Sequence, residues 1–383
     1  ESAFFHALEK ELSGLPADFS PTSIFVGGGT PTAPDFQTLE TFFPILGKFG
    51  SAEFSVEANP GTVDVDKLKL LKESGVNRLS IGVQSFDFQC LETLGRIHSA
   101  EEAEAAFQLA RAVGFDNISI DLMFGTPGQT MATLDADLDR ALDLGPEHIS
   151  IYNLMVEEGT PLADKIKRNV ESYQLSSVVG QASLYSESLC LSHSQGSTRS
   201  RIREACPTME KKQFAGDQQL AQLNEELERE MYDHIRRRLK KAGFVHYEIS
   251  NFAKPGFECR HNLLYWTGGE YLGCGPAAHS HRKGTRWANV ADLDDYCAKG
   301  PRREFEETLD SEAKERETLV MGLRLLQGVE VSSRLRQDCG GQANVWTTIQ
   351  RLESQGLLIV DGRHVRLTDE ALFVSNSVFS ELV

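Results

Sequence analysis

The sequence of 383 residues predicts an α/β fold built from parallel βα units. Three observations lead there. Five short segments are rich in β-branched residues, amphipathic stretches alternate with them at about 25–40 residues per unit, and polar residues fall at the C-terminal ends of the strand-like segments. The strand segments are SIFV (23–26), EFSVEA (53–58), RLSIGV (78–83), NISIDLM (117–123) and HISIYNL (148–154). Between them lie PDFQTLETFFPIL, DVDKLKLLKESG, AEEAEAAFQLARAVG and MATLDADLDRALDLG, two of the helices ending at Gly75 and Gly114 as C-caps. A barrel or partial barrel satisfies this alternation, and so does an open doubly wound sheet.

Residues 168–219 interrupt the pattern with a Ser- and Gln-rich stretch that reads as a flexible insertion. An amphipathic helix follows through 220–243, then HYEIS (246–250) as a sixth strand, then a loop-rich segment, 251–300, with glycines, aromatics and histidines. From about 305 the character changes. Helix-like SEAKERETLVMGLRLLQG leads to a helix ending at Gly356 and to two strands around Asp361 and Gly362, a favoured hairpin turn. Helices followed by a hairpin describe a winged-helix-like module. With a net charge of −17, packing or substrate covering suits it better than nucleic-acid binding.

Composition sets further limits. Hydrophobic residues at 40% and charged residues at 25% are ordinary for a globular chain, and no apolar run reaches the ~18–20 residues that span a bilayer. The seven cysteines are dispersed, as in a reducing compartment. The basic cluster Arg236–Lys241 reads as a solvated helix face.

The strand ends carry the chemistry. GGGTPT after the first segment lacks the Lys of a phosphate loop, and the spacing of a dinucleotide fingerprint is unmet. Three glycines let backbone approach a ligand such as an amine or carboxylate. Glu57 can accept from ribose hydroxyls, Gln84 both donates and accepts, Arg96 can clamp a carboxylate, and Asp121 can take a hydroxyl or an amine. Each residue has a plainer reading as a helix cap or surface ion pair. Together they describe a pocket for a ligand with ribose, amino and carboxylate groups.

GGGTP, VEANPGT, NRLSIGVQSF, LGRIHSAEEA, SIDLMFGTPGQT and ISIYNLMVEEGTPL resemble the S-adenosylmethionine-binding strands of radical SAM enzymes. They are most similar to the group of oxygen-independent coproporphyrinogen III oxidase and its relative HemW, a haem chaperone. The resemblance implies a partial (β/α)6 barrel followed by a small C-terminal domain. It implies S-adenosylmethionine contacts at Gly28, Gly29, Thr30, Glu57, Gln84, Arg96 and Asp121, with the GGGTP loop on the methionine amino group. HNLLYW (261–266) resembles the H-N-x-x-Y-W signature of HemW. That implies haem contacts at His261, Asn262, Tyr265 and Trp266, with His246, His279, His281 and Cys259 as lesser alternatives for the iron.

The chain departs from the family in one respect. No C-x3-C-x2-C occurs in it. In the family that segment holds a [4Fe–4S] cluster after the first barrel strand, upstream of GGGTP. The first βα unit and the cluster cysteines are therefore expected to be missing through truncation, with a natural cluster-less variant as the alternative. The cluster is expected only in the full-length protein, and no metal site in this chain. The expected organisation is a barrel core at 1–165, the insertion at 166–219, a barrel extension with HNLLYW at 220–300, and a winged-helix-like domain at 301–383. The expected function is haem binding and delivery to a recipient haem-protein. Oxygen-independent coproporphyrinogen III oxidase is the alternative, and an unrelated phosphate-binding barrel is a third class. The expected location is the cytoplasm, or an organelle if a transit peptide precedes Glu1.

Overall fold

The computed structural model describes residues 2–16, 19–168, 225–336 and 345–383. The expected insertion, from residue 169 onward, lies outside them.

Seven strands form one sheet, curled into a half-barrel. Five of them run parallel in chain order: β1 (Ser23–Val26), β2 (Glu53–Ala58), β3 (Arg78–Gln84), β4 (Ile118–Phe124) and β5 (His148–Asn153). They coincide with the five sequence segments to within about one residue. The sixth strand differs. HYEIS supplies most of β6 (Val245–Glu248) and the turn after it, and β7 (Asn251–Ala253) follows, a hairpin in which β7 lies antiparallel beside β5 and β6 lies outside it. Glu248 causes the break. Its carboxylate accepts from the Ser250 N–H at 3.2 Å and from the Asn251 side-chain amide, so the chain reverses at Ile249–Ser250.

The strands alternate strictly. Phe54 and Val56, Leu79, Ile81 and Val83, Ile118, Ile120 and Leu122, and Ile149 and Ile151 are all buried on the convex face. There they meet helices α1 (Ser2–Ser13), α2 (Phe36–Gly47), α3 (Val65–Glu73), α5 (Ala100–Val113), α6 (Met131–Leu144) and α7 (Glu225–Lys241) in one core; the short α4 (Phe88–Thr93) follows β3. The register puts the intervening residues side by side on the concave face: Ser55 with Arg78, Glu57 with Ser80, Ser80 with Ser119, Ser119 with His148, and Asp121 with Ser150. The period of two thus separates an apolar face from a polar one.

Helix starts are capped by side chains that accept backbone N–H groups: Asp35 for α2, Asp64 for α3, Asp87 for α4, and Ser99 with Glu102 as a capping box for α5. Gly114 ends α5 in the left-handed region at φ 99°.

After α8 (Arg260–Trp266), strands β8 (His279–Arg282), β9 (Thr285–Asn289) and β10 (Arg303–Thr308), with α9 (Leu293–Lys299), form a small antiparallel unit. The C-terminal region holds α10 (Ser311–Gly322), β11 (Val329–Glu330), α11 (Val345–Ser354), β12 (Leu358–Asp361), β13 (His364–Leu367) and α12 (Ser375–Ser380). Its sheet runs β11-β13-β12, and the hairpin turns at Gly362 with φ 63° as expected. This region meets the barrel through backbone bonds, Leu326 N–H to Tyr247 O at 3.1 Å and Ile249 N–H to Arg324 O at 3.2 Å. Among the described residues no helix is long and apolar enough to cross a membrane.

Candidate functional site

The loop after β1 uses its glycines in two ways. Gly27 must be small, because a Cβ there would lie 2.4 Å from the Phe25 ring and 3.0 Å from the Glu57 carboxyl. Gly28 and Gly29 have φ of 80° and 53° with open space around them, so there the backbone conformation is what calls for glycine. The Gly28 N–H donates to Glu57 Oε2 at 3.0 Å. Thr32, fully buried, anchors the loop's far side: its hydroxyl lies 2.6 Å from that of Thr62, and Lys67 Nζ donates to the carbonyls of Thr32 and Thr62 at 2.8 and 3.2 Å.

Glu57 and Asp121 face the same concave space. Burial pushes the Glu57 carboxyl up, against the Gly28 hydrogen bond, and Asp121 adds to the rise. Burial also raises Asp121, opposed by Ser150, Ser80, Arg78 and Ser119. Ser80 Oγ donates to its two oxygens at 2.9 and 3.0 Å, and Ser119 Oγ donates at 3.1 Å. Gln84, at the end of β3, holds φ at 67°, a left-handed conformation that costs a non-glycine residue about 1–2 kcal/mol. The Ser85–Phe86 turn that follows is fixed from α6. Asp137 accepts from Ser85 Oγ and the Phe86 N–H, both at 2.7 Å, and burial pushes its carboxyl up to about 6. Arg96 is exposed, with no carboxylate within ion-pair distance among the described residues, which leaves its guanidinium open to a ligand carboxylate.

The HNLLYW helix is held by the sheet. Glu53, at the start of β2 and 4% exposed, accepts from the N–H groups of Arg260 and His261 at 2.9 and 3.0 Å, and from the Cys259 thiol at 3.5 Å. It caps α8 from 200 residues away in sequence; Cys259, at the N-cap position, makes no side-chain cap bond. His261 stacks on Phe25 of β1, with centroids 5.0 Å apart and planes at 14°. Its Nδ1 lies 3.0 Å from Ser23 Oγ and its Nε2 lies 3.1 Å from Tyr265 Oη, so both ring nitrogens are engaged. Burial lowers its pKa and keeps the ring neutral.

A cavity of about 1100 Å³ runs along β1, which among the described residues pairs only with β2. Gly28, Gly29 and Thr30 line it together with His261, Tyr265 and Tyr271, and phenylalanines of α1 and α2 form its apolar floor. The structure thus brings the glycine loop and the helix of the second motif to one cavity, with Glu57 joining that loop to the polar concave face. Asn262 and Trp266 do not line the cavity. Trp266 lies under Arg324 of the C-terminal region, 4.4 Å from ring centroid to guanidinium carbon. Of the lesser alternatives, Cys259 is 1% exposed with its thiol pushed up to about 11, His246 stacks on Phe252 on the convex face, His279 is exposed, and His281 is buried beside Lys314.

Two buried charged residues behind the site escaped the sequence reading. Glu53 and Arg78 each sit at the start of a strand, where the expected sites are not built. The signal for them was the alternation: both continue the polar parity of their strands, ending in Glu57 and Gln84.

The donor set tests the implied cofactors. The open space over two glycines and the two carboxylates, Glu57 and Asp121, are compatible with the amino and hydroxyl groups of S-adenosylmethionine; Arg96 does not line the cavity. A [4Fe–4S] cluster does not fit the described residues. Among them no three His, Cys, Asp or Glu side chains come within reach of one metal, and Cys90, Cys259, Cys274 and Cys297 are free and separate.

Comparison with known proteins gives the family and the fold. The Radical SAM superfamily profile matches residues 8–141, and the HemN C-terminal domain profile matches residues 309–374. The chain is 33% identical over 391 residues to the heme chaperone HemW of Bacillus subtilis (strain 168), covering 98% of this chain and 90% of that protein. It is 31% identical over 388 residues to the mitochondrial radical S-adenosyl methionine domain-containing protein 1 of Danio rerio, covering 94% and 75%. In fold it is similar to coproporphyrinogen III oxidase (HemN) from Escherichia coli, with a TM-score of 0.71 at 18% identity, covering 100% of this chain and 82% of that one. The chain therefore belongs to the HemW family of the radical SAM superfamily and carries a HemN-type C-terminal domain.

Proposed function

We propose that this protein is a haem chaperone, binding haem and delivering it to a recipient haem-protein in the cytoplasm, with S-adenosylmethionine bound at the strand ends. A [4Fe–4S] cluster, which the superfamily implies, would need ligands from outside the described residues. The observation that carries the reading is the docking of α8 against β1, which places His261 and Tyr265 at the wall of an aromatic cavity shared with the glycine loop.

On this reading Gly28, Gly29 and Thr30 receive the amino end of S-adenosylmethionine, Glu57 and Asp121 its hydroxyl groups, Gln84 a donor–acceptor pair, and Arg96 its carboxylate. His261 is the haem contact. Nδ1 stays on Ser23, and Nε2 is offered to iron when the Tyr265 hydroxyl turns away. Tyr265 stacks or hydrogen-bonds at the porphyrin edge. Asn262 and Trp266, also part of the haem signature, act from outside the cavity; Trp266 does so by pinning α8 to Arg324.

Haem titration of the full chain checks this. Wild type is expected to give a Soret shift that His261→Ala weakens or moves. An unchanged shift would remove His261 from the account. The fold likeness to HemN favours one second reading, oxygen-independent coproporphyrinogen III oxidase. Conversion of coproporphyrinogen III to protoporphyrinogen IX by the protein after anaerobic iron–sulfur reconstitution would replace the chaperone reading.

A further inference from the structure

Beneath the two sites lies a chain of buried hydrogen bonds that joins them. The Cys259 N–H, at the start of α8, donates to Tyr247 Oη at 3.3 Å. Tyr247 Oη lies 2.9 Å from His148 Nε2, His148 Nδ1 lies 2.8 Å from Ser119 Oγ, and Ser119 Oγ lies 3.1 Å from Asp121 Oδ1. Cys259, His148 and Ser119 are 1% exposed or less.

Both ends of this chain have a fixed direction: the Cys259 backbone N–H only donates, and at the far end the Ser119 hydroxyl donates to Asp121. Its direction follows. Tyr247 accepts from Cys259 and donates to His148 Nε2. The His148 proton is then on Nδ1 and goes to Ser119, and the Ser119 proton goes to Asp121. Burial holds His148 well below its usual pKa, so it carries the single proton this order needs. Arg78, 2% exposed and with Nε unpartnered, stands among Cys259, Glu53, Tyr247 and Asp121 and supplies the buried positive charge around which they gather.

We infer that Ser119, His148 and Tyr247 are positioning residues that couple occupancy at Asp121 to the placement of α8 and its His261. The inference rests on the proposed ligands of the two sites. A ligand hydroxyl or amino group on Asp121 competes for the oxygen that Ser119 uses. Aligned hydrogen bonds polarise one another, so a weaker last bond weakens the first. The Cys259 end of α8 then loosens, and with it the ring whose Nε2 must leave Tyr265. By reciprocity, haem on His261 changes the affinity for S-adenosylmethionine by the same factor.

The test uses the full chain. Haem affinity is measured by Soret titration with and without saturating S-adenosylmethionine, in wild type, Ser119→Ala and Tyr247→Phe. The expected result is a change of about fivefold or more in wild type and about twofold or less in both variants, each ligand still binding alone. Wild type that binds both ligands with no mutual effect overturns the coupling and leaves the chaperone reading standing. Wild type that binds no haem removes the chaperone reading, and the coupling is then decided by amide exchange at Cys259–His261. Exchange is expected to quicken in Asp121→Asn and on adding S-adenosylmethionine. Exchange unmoved by either overturns the coupling, because Asp121 touches none of those amides.

Discussion

The two faces of the central sheet are made by the same strands, and both are buried, yet they are built on opposite rules. The convex face is an ordinary core, in which Val56, Leu79, Ile120 and Ile149 pack with the apolar side chains of the helices. The concave face buries Glu53, Arg78, Ser119 and His148 to 4% exposure or less: Glu53, Ser119 and His148 are hydrogen-bonded, and Arg78 stands against opposite charge. Packing on one side tolerates repacking at a cost in stability. The polar side tolerates little, because a buried polar group that loses its partner is penalised in full. The proposed S-adenosylmethionine contacts Glu57 and Asp121 lie on the side where geometry is set by directional bonds.

The contrast is sharpened most by a cavity on the convex side. Phe107 of α5 is 1% exposed in the core, and Phe107→Ala is expected to cost about 3–5 kcal/mol of unfolding free energy while leaving S-adenosylmethionine affinity intact in the folded protein. Chemical denaturation with parallel equilibrium dialysis measures both. A loss of ligand affinity as large as the loss of stability would mean that the faces are not independent.

His246 breaks the pattern, being a polar side chain on the convex face, stacked on Phe252 at 4.1 Å with Nε2 bonded to the Ile249 carbonyl at 3.1 Å. Burial lowers its pKa to about 4 from the usual 6.5. Between those values the unfolded chain binds a proton that the folded chain does not, so stability rises with pH through the window and is lost as pH falls from 6.5 toward 4. At full extent this is up to about 3 kcal/mol. His148 contributes with the same sign. The urea midpoint is therefore expected to drop between pH 7 and pH 5, and His246→Phe to reduce the drop. An equal drop in that variant would assign the pH dependence elsewhere.

The smallest effect is expected at the strained strand end. Gln84→Gly relieves a positive φ but adds chain entropy to the unfolded state, so the net change in stability is expected within about 1 kcal/mol. Affinity for S-adenosylmethionine should fall all the same, since the side chain is lost. A large drop in melting temperature would show that Gln84 supports the fold rather than the site.

Local pattern made much of this legible in advance. Strands β1 to β5 and the polar strand ends are short-range signals, as is the C-terminal hairpin at Gly362. The reversal after Glu248 was not legible, because a side chain that caps its own turn looks like strand until its partners are known. Trp266 has an aromatic's usual ambiguity, and only the fold shows it lying on Arg324 rather than at the cavity wall. Glu53 caps a helix whose first residue is Arg260, a relation that no window of sequence contains.

The glycine loop has a consequence for how this sequence can drift. Gly28 and Gly29 need only a backbone that turns left, which Asn and Asp also adopt at moderate cost, so those two positions have a small alphabet of replacements. Gly27 has none: the obstacle is the Phe25 ring and the Glu57 carboxyl, and any side chain meets them. Among related chains the run of three glycines should therefore erode from its C-terminal end, with the first glycine persisting for as long as Glu57 does.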